Sequence, residues 1–354
     1  NYVNKFKIAA AYVSNFNKFI RAYSKGALMY DQPNGKTDPI LVTNCIFDDC
    51  GGENTRCFNL KSRTEDFTFS NNIVQNMKAG IGAGYFGQIA SYINKMKNFV
   101  FQNVTFKDNL CKSDYGGGTG LWVTNTEVIT FDNCKFINNV TLNSTSERSR
   151  SPANMKYFAG DGGAIQYGHS TSIYNVDMVF KKCTFTQNKA VRHGGALAIQ
   201  TCQKVEISEC TFDGNVANYK PSSKLLFQDY YNLKEEGRGG AIYFNPVFTY
   251  KNNPNQQVHD PANFFLREAK IDSCTFTSNS AFDGYAIYIE GDDPGTKFII
   301  TNNRFKGNYD TVSNSMERGI ITSEIENLYE GKVVSSNKFE DRNIAPLLFV
   351  YHDG

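Results

Sequence analysis

Two sets of side chains in this sequence have the types and spacing for chemistry. The first is made of carboxylates: the pairs Asp48/Asp49 and Asp292/Asp293, with His193 ahead of Gly194 and Gly195 as a further candidate. Clustered carboxylates can act as acid and base on a glycosidic bond, or hold calcium, when a basic side chain stands beside them. Their spacing argues against that use. The two pairs lie many repeats apart, and neither has a His and an Arg at a recurring distance. The triplet Gly168-His169-Ser170 precedes Asp292 and lacks a second Gly. The chain is therefore expected not to be an enzyme, with polysaccharide lyase or glycoside hydrolase activity kept as an alternative.

The second set is a series of charges, each one residue before a Gly: Asp161, His193, Arg238, Asp283 and Arg318. Such a series serves binding or catalysis, or it is the mixed charge of an exposed corner, where ion pairs contribute ~0–1 kcal/mol.

What positions these residues is a repeat. KCTFTQN (182–188) is followed by GGALAI (194–199), ECTFDGN (209–215) by GGAIYF (239–244), and SCTFTSN (273–279) by GYAIYI (284–289). NCKFINN (133–139) with GGAIQY (162–167), and NVTFKDN (103–109) with GGGTGLWV (116–123), fit the same frame. Weaker copies are NCIFDDC (44–50), NNIVQN (71–76), NNRFKGN (302–308) and SNKFEDR (336–342). In the first copy, residues 15–30, Phe19 takes the Asn place. Phe106 to Phe136 is 30 residues, Phe185 to Phe212 is 27 and Phe276 to Phe305 is 29. The gaps of 49 (Phe136 to Phe185) and 64 (Phe212 to Phe276) hold polar or aromatic inserts. A repeat too short to bury its own apolar face must stack on its neighbours.

Inside one repeat the apolar period is two, the period of a strand. Val205 and Ile207 are followed by Cys210 and Phe212, so the phase flips at a corner near Ser208–Glu209. A second corner lies at the Asn and a third near the Gly pair, after which Leu197/Ile199, Ile242/Phe244 and Ile287/Ile289 point inward. The expected fold is all-β: a single-stranded parallel β-helix of about ten rungs, three strands per rung. A helical solenoid is disfavoured because no repeat carries an i, i+3, i+4, i+7 stripe.

Stacking turns repeat positions into columns. The expected rungs carry Phe47, Ile73, Phe106, Phe136 and onward at the Phe place. Asn76, Asn109, Asn139, Asn188, Asn215, Asn279 and Asn308 form an amide ladder. Cys45, Cys134, Cys183, Cys210 and Cys274 form a column of small apolar side chains, vertical disulfides being the alternative at a rung spacing of about 4.8 Å. Outward positions of the strand after the Gly pair hold Trp122, Tyr243 and Tyr288, with Met29, Gln166 and Ala198. They read as an aromatic platform for sugar rings or a partner, or as a face on which loops pack.

One domain, 1–354, is expected: an atypical N-terminal rung or cap (1–44), clear repeats (45–310) and degenerate rungs (311–354), a mature product or a segment of a longer protein. Insert 140–160 is Ser/Thr/Arg-rich, and Asn143-Ser-Thr in it is a candidate N-glycosylation site. Asn139 reads as buried, and Asn103 as close to an inward strand. Inserts 217–237 and 245–267 carry Phe227, Tyr230, Tyr231, Phe248 and Tyr250 as candidate binding residues. A net charge of +2 argues against nucleic acid as partner. No run reaches the ~18 apolar residues of a membrane-spanning helix. No CxxC or His/Cys cluster suggests a metal, and no cofactor is expected.

GGA[IL] joined to FxxN at this spacing, closest at Phe185–Asn188 with Gly194–Leu197 and Phe212–Asn215 with Gly239–Ile242, resembles the repeats of the polymorphic outer membrane protein (Pmp) family of chlamydiae. The resemblance implies a right-handed β-helix on a cell surface, often adhesive. The expected function is thus a non-enzymatic cell-surface or extracellular scaffold that binds a protein or glycan partner. A part in a filament or large assembly, by end-to-end self-association and in an intracellular setting, is the alternative.

Overall fold

The computed structural model describes residues 7–8, 11–15, 18–20, 28–31, 40–50, 58–62, 66–79, 84–88, 96–111, 121–124, 126–142, 160–167, 176–199, 202–217, 237–244, 266–290, 297–310, 319–323, 333–340 and 348–350. These form a parallel β-helix. The strand before the first corner, such as Lys204–Ser208, belongs to an 11-stranded sheet. The strand bearing the Phe, such as Thr211–Asp213, belongs to a 10-stranded one. The strand after the Gly pair, such as Ile242–Phe244, lies in a six-stranded sheet that continues a separate four-stranded sheet of earlier rungs. Among the described residues only Lys7–Ile8 pairs antiparallel, folding back on Ala11–Asn15 at the edge of the first sheet. Beyond the three expected strands, a two-residue strand follows the Asn in several rungs, as in Leu110–Cys111, Val140–Thr141 and Lys189–Ala190.

The corners explain the phase flips. Residues at the first corner adopt left-handed backbone: φ is 51° at Asn133, 54° at Lys182, 54° at Glu209 and 56° at Ser273. So do the residues before the column Asn, with φ of 50° at Asn138, 55° at Gln187 and 63° at Gly214. One left-handed residue turns the chain and shifts the inward phase by one, which is why both corners favour Asn, Asp, Ser or Gly.

The core is a set of columns. The rings of Phe136, Phe185, Phe212, Phe276 and Phe305 stack with centroids 4.7–4.9 Å apart and planes within 7°. Offset aromatic stacking adds to the apolar burial of each ring. Beside it runs the amide ladder. Asn215 Oδ1 accepts from the backbone N–H (3.1 Å) and Nδ2 (3.0 Å) of Asn188. Its own Nδ2 donates to Phe185 O (2.9 Å) and Asn279 Oδ1 (2.9 Å). The same pattern runs from Asn109 to Asn308. The cysteines of the described residues are buried and not joined by disulfides, so vertical disulfides are absent there. The column thiols work as weak hydrogen-bonding groups: Cys210 Sγ donates to Ser208 O (3.2 Å) and accepts from Cys183 N–H (3.3 Å).

Three sequence readings are corrected. Val74, not Ile73, takes the Phe place, aligned with Phe47 and Phe106, while Ile73 is 36% exposed. The cause is Asn72, which occupies the Cys place, accepts from Cys45 N–H (2.7 Å) and donates to Val42 O (2.9 Å). For the same reason Asn76 sits at the left-handed corner (φ 57°) and Met77 enters the Asn column. Phe19 pairs in register with Phe47, so it stands at the Phe place rather than the Asn place.

Candidate functional site

The third corner is built differently. Gly194 turns with φ 66°, and a Cβ on Gly195 would meet Gly240 O at 2.0 Å, so the chain approaches its neighbour too closely for a side chain. Each turning Gly donates its N–H to the carbonyl of the preceding residue one rung on: Gly162 to His193 O, Gly194 to Arg238 O and Gly239 to Asp283 O, at 2.8–2.9 Å. Asp161, His193, Arg238 and Asp283 therefore form one continuous column, as the spacing predicts. Arg318 lies outside the described residues.

The column is not the exposed charge strip that the sequence suggests. Asp161, His193 and Asp283 are buried, while the Arg238 side chain stays partly exposed. Asp161 Oδ1 accepts the His193 backbone N–H (3.1 Å) and lies 3.7 Å from Arg192 Nε. His193 Nδ1 accepts the Arg238 backbone N–H (3.1 Å), which requires that nitrogen to be unprotonated. The imidazole stacks on Tyr243 with centroids 4.6 Å apart. The Arg238 guanidinium lies over the Tyr288 ring at 4.8 Å, a cation–π contact, and reaches Glu290 Oε1 at 3.8 Å. The Tyr243 hydroxyl donates to Glu290 Oε2. Asp283 Oδ1 accepts the Gly284 N–H.

Sequence reasoning missed Glu290 and Arg192 in this network. Both stand outside the repeated frame, Glu290 just after GYAIYI and Arg192 two residues before GGALAI. The chemical consequence is positional. A buried charge stays only where partners compensate it, and for Asp161 and Arg238 the partners come from the adjacent rung. The network ties the corner together at Arg238, the residue at which the chain returns from insert 217–237.

Tyr243 and Tyr288 do align on the outward side, in register with Ala198 and Gln166. They form a small apolar cluster with Ala198, separate from the main core. Both rings are buried, 1% and 0% exposed, which of the two readings, open platform or packed face, favours the packed face. Trp122 belongs to the other sheet of this face, paired with Tyr85, and so is not brought into the tyrosine column. Phe227, Tyr230, Tyr231, Phe248, Tyr250 and Asn143 lie outside the described residues, as do Asp292 and Asp293. Asp48 accepts from the Asn76 amide (2.8 Å).

Near the seam between the third and first faces, burial pushes the thiol of Cys202 and the phenol of Tyr167 far up, and raises the Asp177 carboxyl. A thiol held protonated is a poor nucleophile. Among the described residues no three His, Cys, Asp or Glu side chains are grouped to hold a metal ion. No helix there is long and apolar enough to cross a membrane.

The family model of the Chlamydia polymorphic membrane protein repeat matches residues 209–245. That span runs from the first corner through the Phe and Asn columns to the strand of Tyr243, so the chain carries a Pmp-like repeat. The match supports, coarsely, a surface or outer-membrane-associated protein. No curated protein and no solved structure matches the chain.

Proposed function

We propose that the chain is a non-enzymatic β-helix scaffold at a cell surface, binding a protein or glycan partner through its two aromatic inserts. The observation that carries this reading is how the insert ends are held. Ala217 N–H donates to Ser280 O (2.9 Å), and Gly237 O accepts from Phe282 N–H (2.8 Å). Phe244 O accepts from Glu290 N–H (2.8 Å), and Arg267 N–H donates to Gln203 O (2.8 Å). Ala217, Gly237, Phe244 and Leu266 are all buried. The ladder thus runs on past both inserts, and the scaffold closes without them. Inserts anchored at both ends to a rigid frame and rich in Phe and Tyr have the makings of binding surfaces.

The test uses the full chain and a variant lacking 218–236 and 247–265, with a glycan array and intact cells as probes. Binding by the full chain, lost in a variant with unchanged β-sheet circular dichroism, is the expected result. A folded variant that binds equally well, or a full chain that binds neither probe, overturns the reading.

A further inference from the structure

Two Asn-x-Thr triplets fall on the described residues, Asn103-Val104-Thr105 and Asn139-Val140-Thr141, and the fold treats them oppositely. Asn139 is 0% exposed and is a rung of the internal ladder. Its Nδ2 donates to Phe106 O (3.1 Å) and to Asn188 Oδ1 (2.9 Å), so both amide hydrogens are committed inside the core. Asn103 is exposed and stands at a tight left-handed corner, φ 53°. Asn103 does lie beside an inward strand, as the repeat suggests, but the phase flip at that corner turns Val104 inward and leaves Asn103 outside. Its Nδ2 donates to Asn71 Oδ1 (3.0 Å), and its Oδ1 accepts from Asn133 Nδ2 (2.8 Å). One of the two Nδ2 hydrogens is left over, on the solvent side of the helix.

We infer that Asn103 is an N-glycan acceptor, and that Asn139 is not. In the transfer, Asn103 Nδ2 bonds to the anomeric carbon of a lipid-linked oligosaccharide. The bond from that carbon to the lipid diphosphate breaks, the diphosphate leaves with the bonding electrons, and Nδ2 gives up one proton. The second hydrogen continues to donate to Asn71, so the exposed amide ladder Asn71–Asn103–Asn133 survives the modification. A glycan on Asn139 would instead remove a core hydrogen bond and place a sugar inside the solenoid. The inference rests on the surface reading only in that the chain must meet a secretory pathway.

The experiment therefore supplies that pathway. The full chain is fused to a secretion leader, expressed in mammalian cells, purified from the medium and peptide-mapped before and after glycosidase treatment in heavy-oxygen water. The expected result is a heavy-labelled Asp at position 103 and unmodified Asn139. Thr105→Ala should remove one glycan-sized mass step and leave the melting temperature of the secreted protein unchanged. Unmodified Asn103 in secreted, folded protein overturns the inference, whether or not Asn143 is modified. Occupancy of Asn139 in folded protein overturns it as well. Failure to bind any partner in the preceding test leaves these outcomes unchanged, so the two readings fail separately.

Discussion

The Asn corner and the Gly corner of the same rungs are held by different means. At the Asn corner one chemical unit is repeated: amide to backbone, amide to amide, ring on ring, from Phe106 and Asn109 to Phe305 and Asn308. At the Gly corner the residue type changes at every rung, from Asp161 to His193 to Arg238 to Asp283, and the partners change with it. A column of one chemistry needs only its neighbours in the stack, so it holds wherever the chain adds a rung. A column of mixed chemistry is local, and two of its members, Asp161 and Arg238, stand where inserts 140–160 and 217–237 return. The uniform corner carries the fold, and the varied corner adapts the fold to its inserts.

The largest expected effect lies on the uniform side. Phe212 stacks on Phe185 and Phe276 at 4.7 and 4.9 Å and is fully buried. Phe212→Ala should destabilise by ~3–5 kcal/mol, read by denaturant unfolding. Next comes Asn215→Ala, which strips partners from Asn188, Phe185 O and Asn279. Buried polar groups left unpaired cost ~1–3 kcal/mol each, so a total loss of about 3 kcal/mol is expected by the same measurement. His193→Ala removes one acceptor and one stacked ring at the varied corner and should cost less than Asn215→Ala, about 1–2 kcal/mol. A His193 loss equal to that of Asn215 would erase the distinction.

The columns were legible because their periodicity is local. FxxN and GGA recur at nearly fixed spacing, so Phe, Asn and Gly could be placed before any coordinates. Two things were not legible. Register within a weak copy depends on a single side chain: in NNIVQNM, Asn72 replaces Cys by making the same contact with the Cys45 amide, which moves Val74 and Met77 inward. Composition alone favours Ile73 equally. Burial at the Gly corner depends on contacts between residues far apart in the chain, such as Tyr243 with Glu290 and Arg238 with Tyr288. A repeat pattern reports what recurs, and these contacts occur once.

A smaller effect is expected with acid. The guanidinium of Arg304 and the ammonium of Lys338 hold the half-buried Glu340 carboxyl down to about 2. Because its folded value is depressed, this contribution is present above the ordinary carboxylate range and is lost only as pH falls from ~4.3 towards 2. A carboxyl resonance of Glu340 titrating near the ordinary value would break the ion pair from the account. Screening makes its share of stability small, below that of any column residue.

Native-state hydrogen exchange compares the two corners within one molecule. The backbone N–H groups of Asn139, Asn188, Asn215 and Asn279 each donate to an Asn side chain of the adjacent rung, whereas that of Arg238 depends on His193 Nδ1. The account predicts that the four Asn amides exchange only with global unfolding, and that the Arg238 amide exchanges earlier, through local opening of the insert-bearing corner. Equal protection at Arg238 and Asn215, or faster exchange at the Asn column, would contradict the division of the rung into a corner that holds the fold and a corner that adapts it.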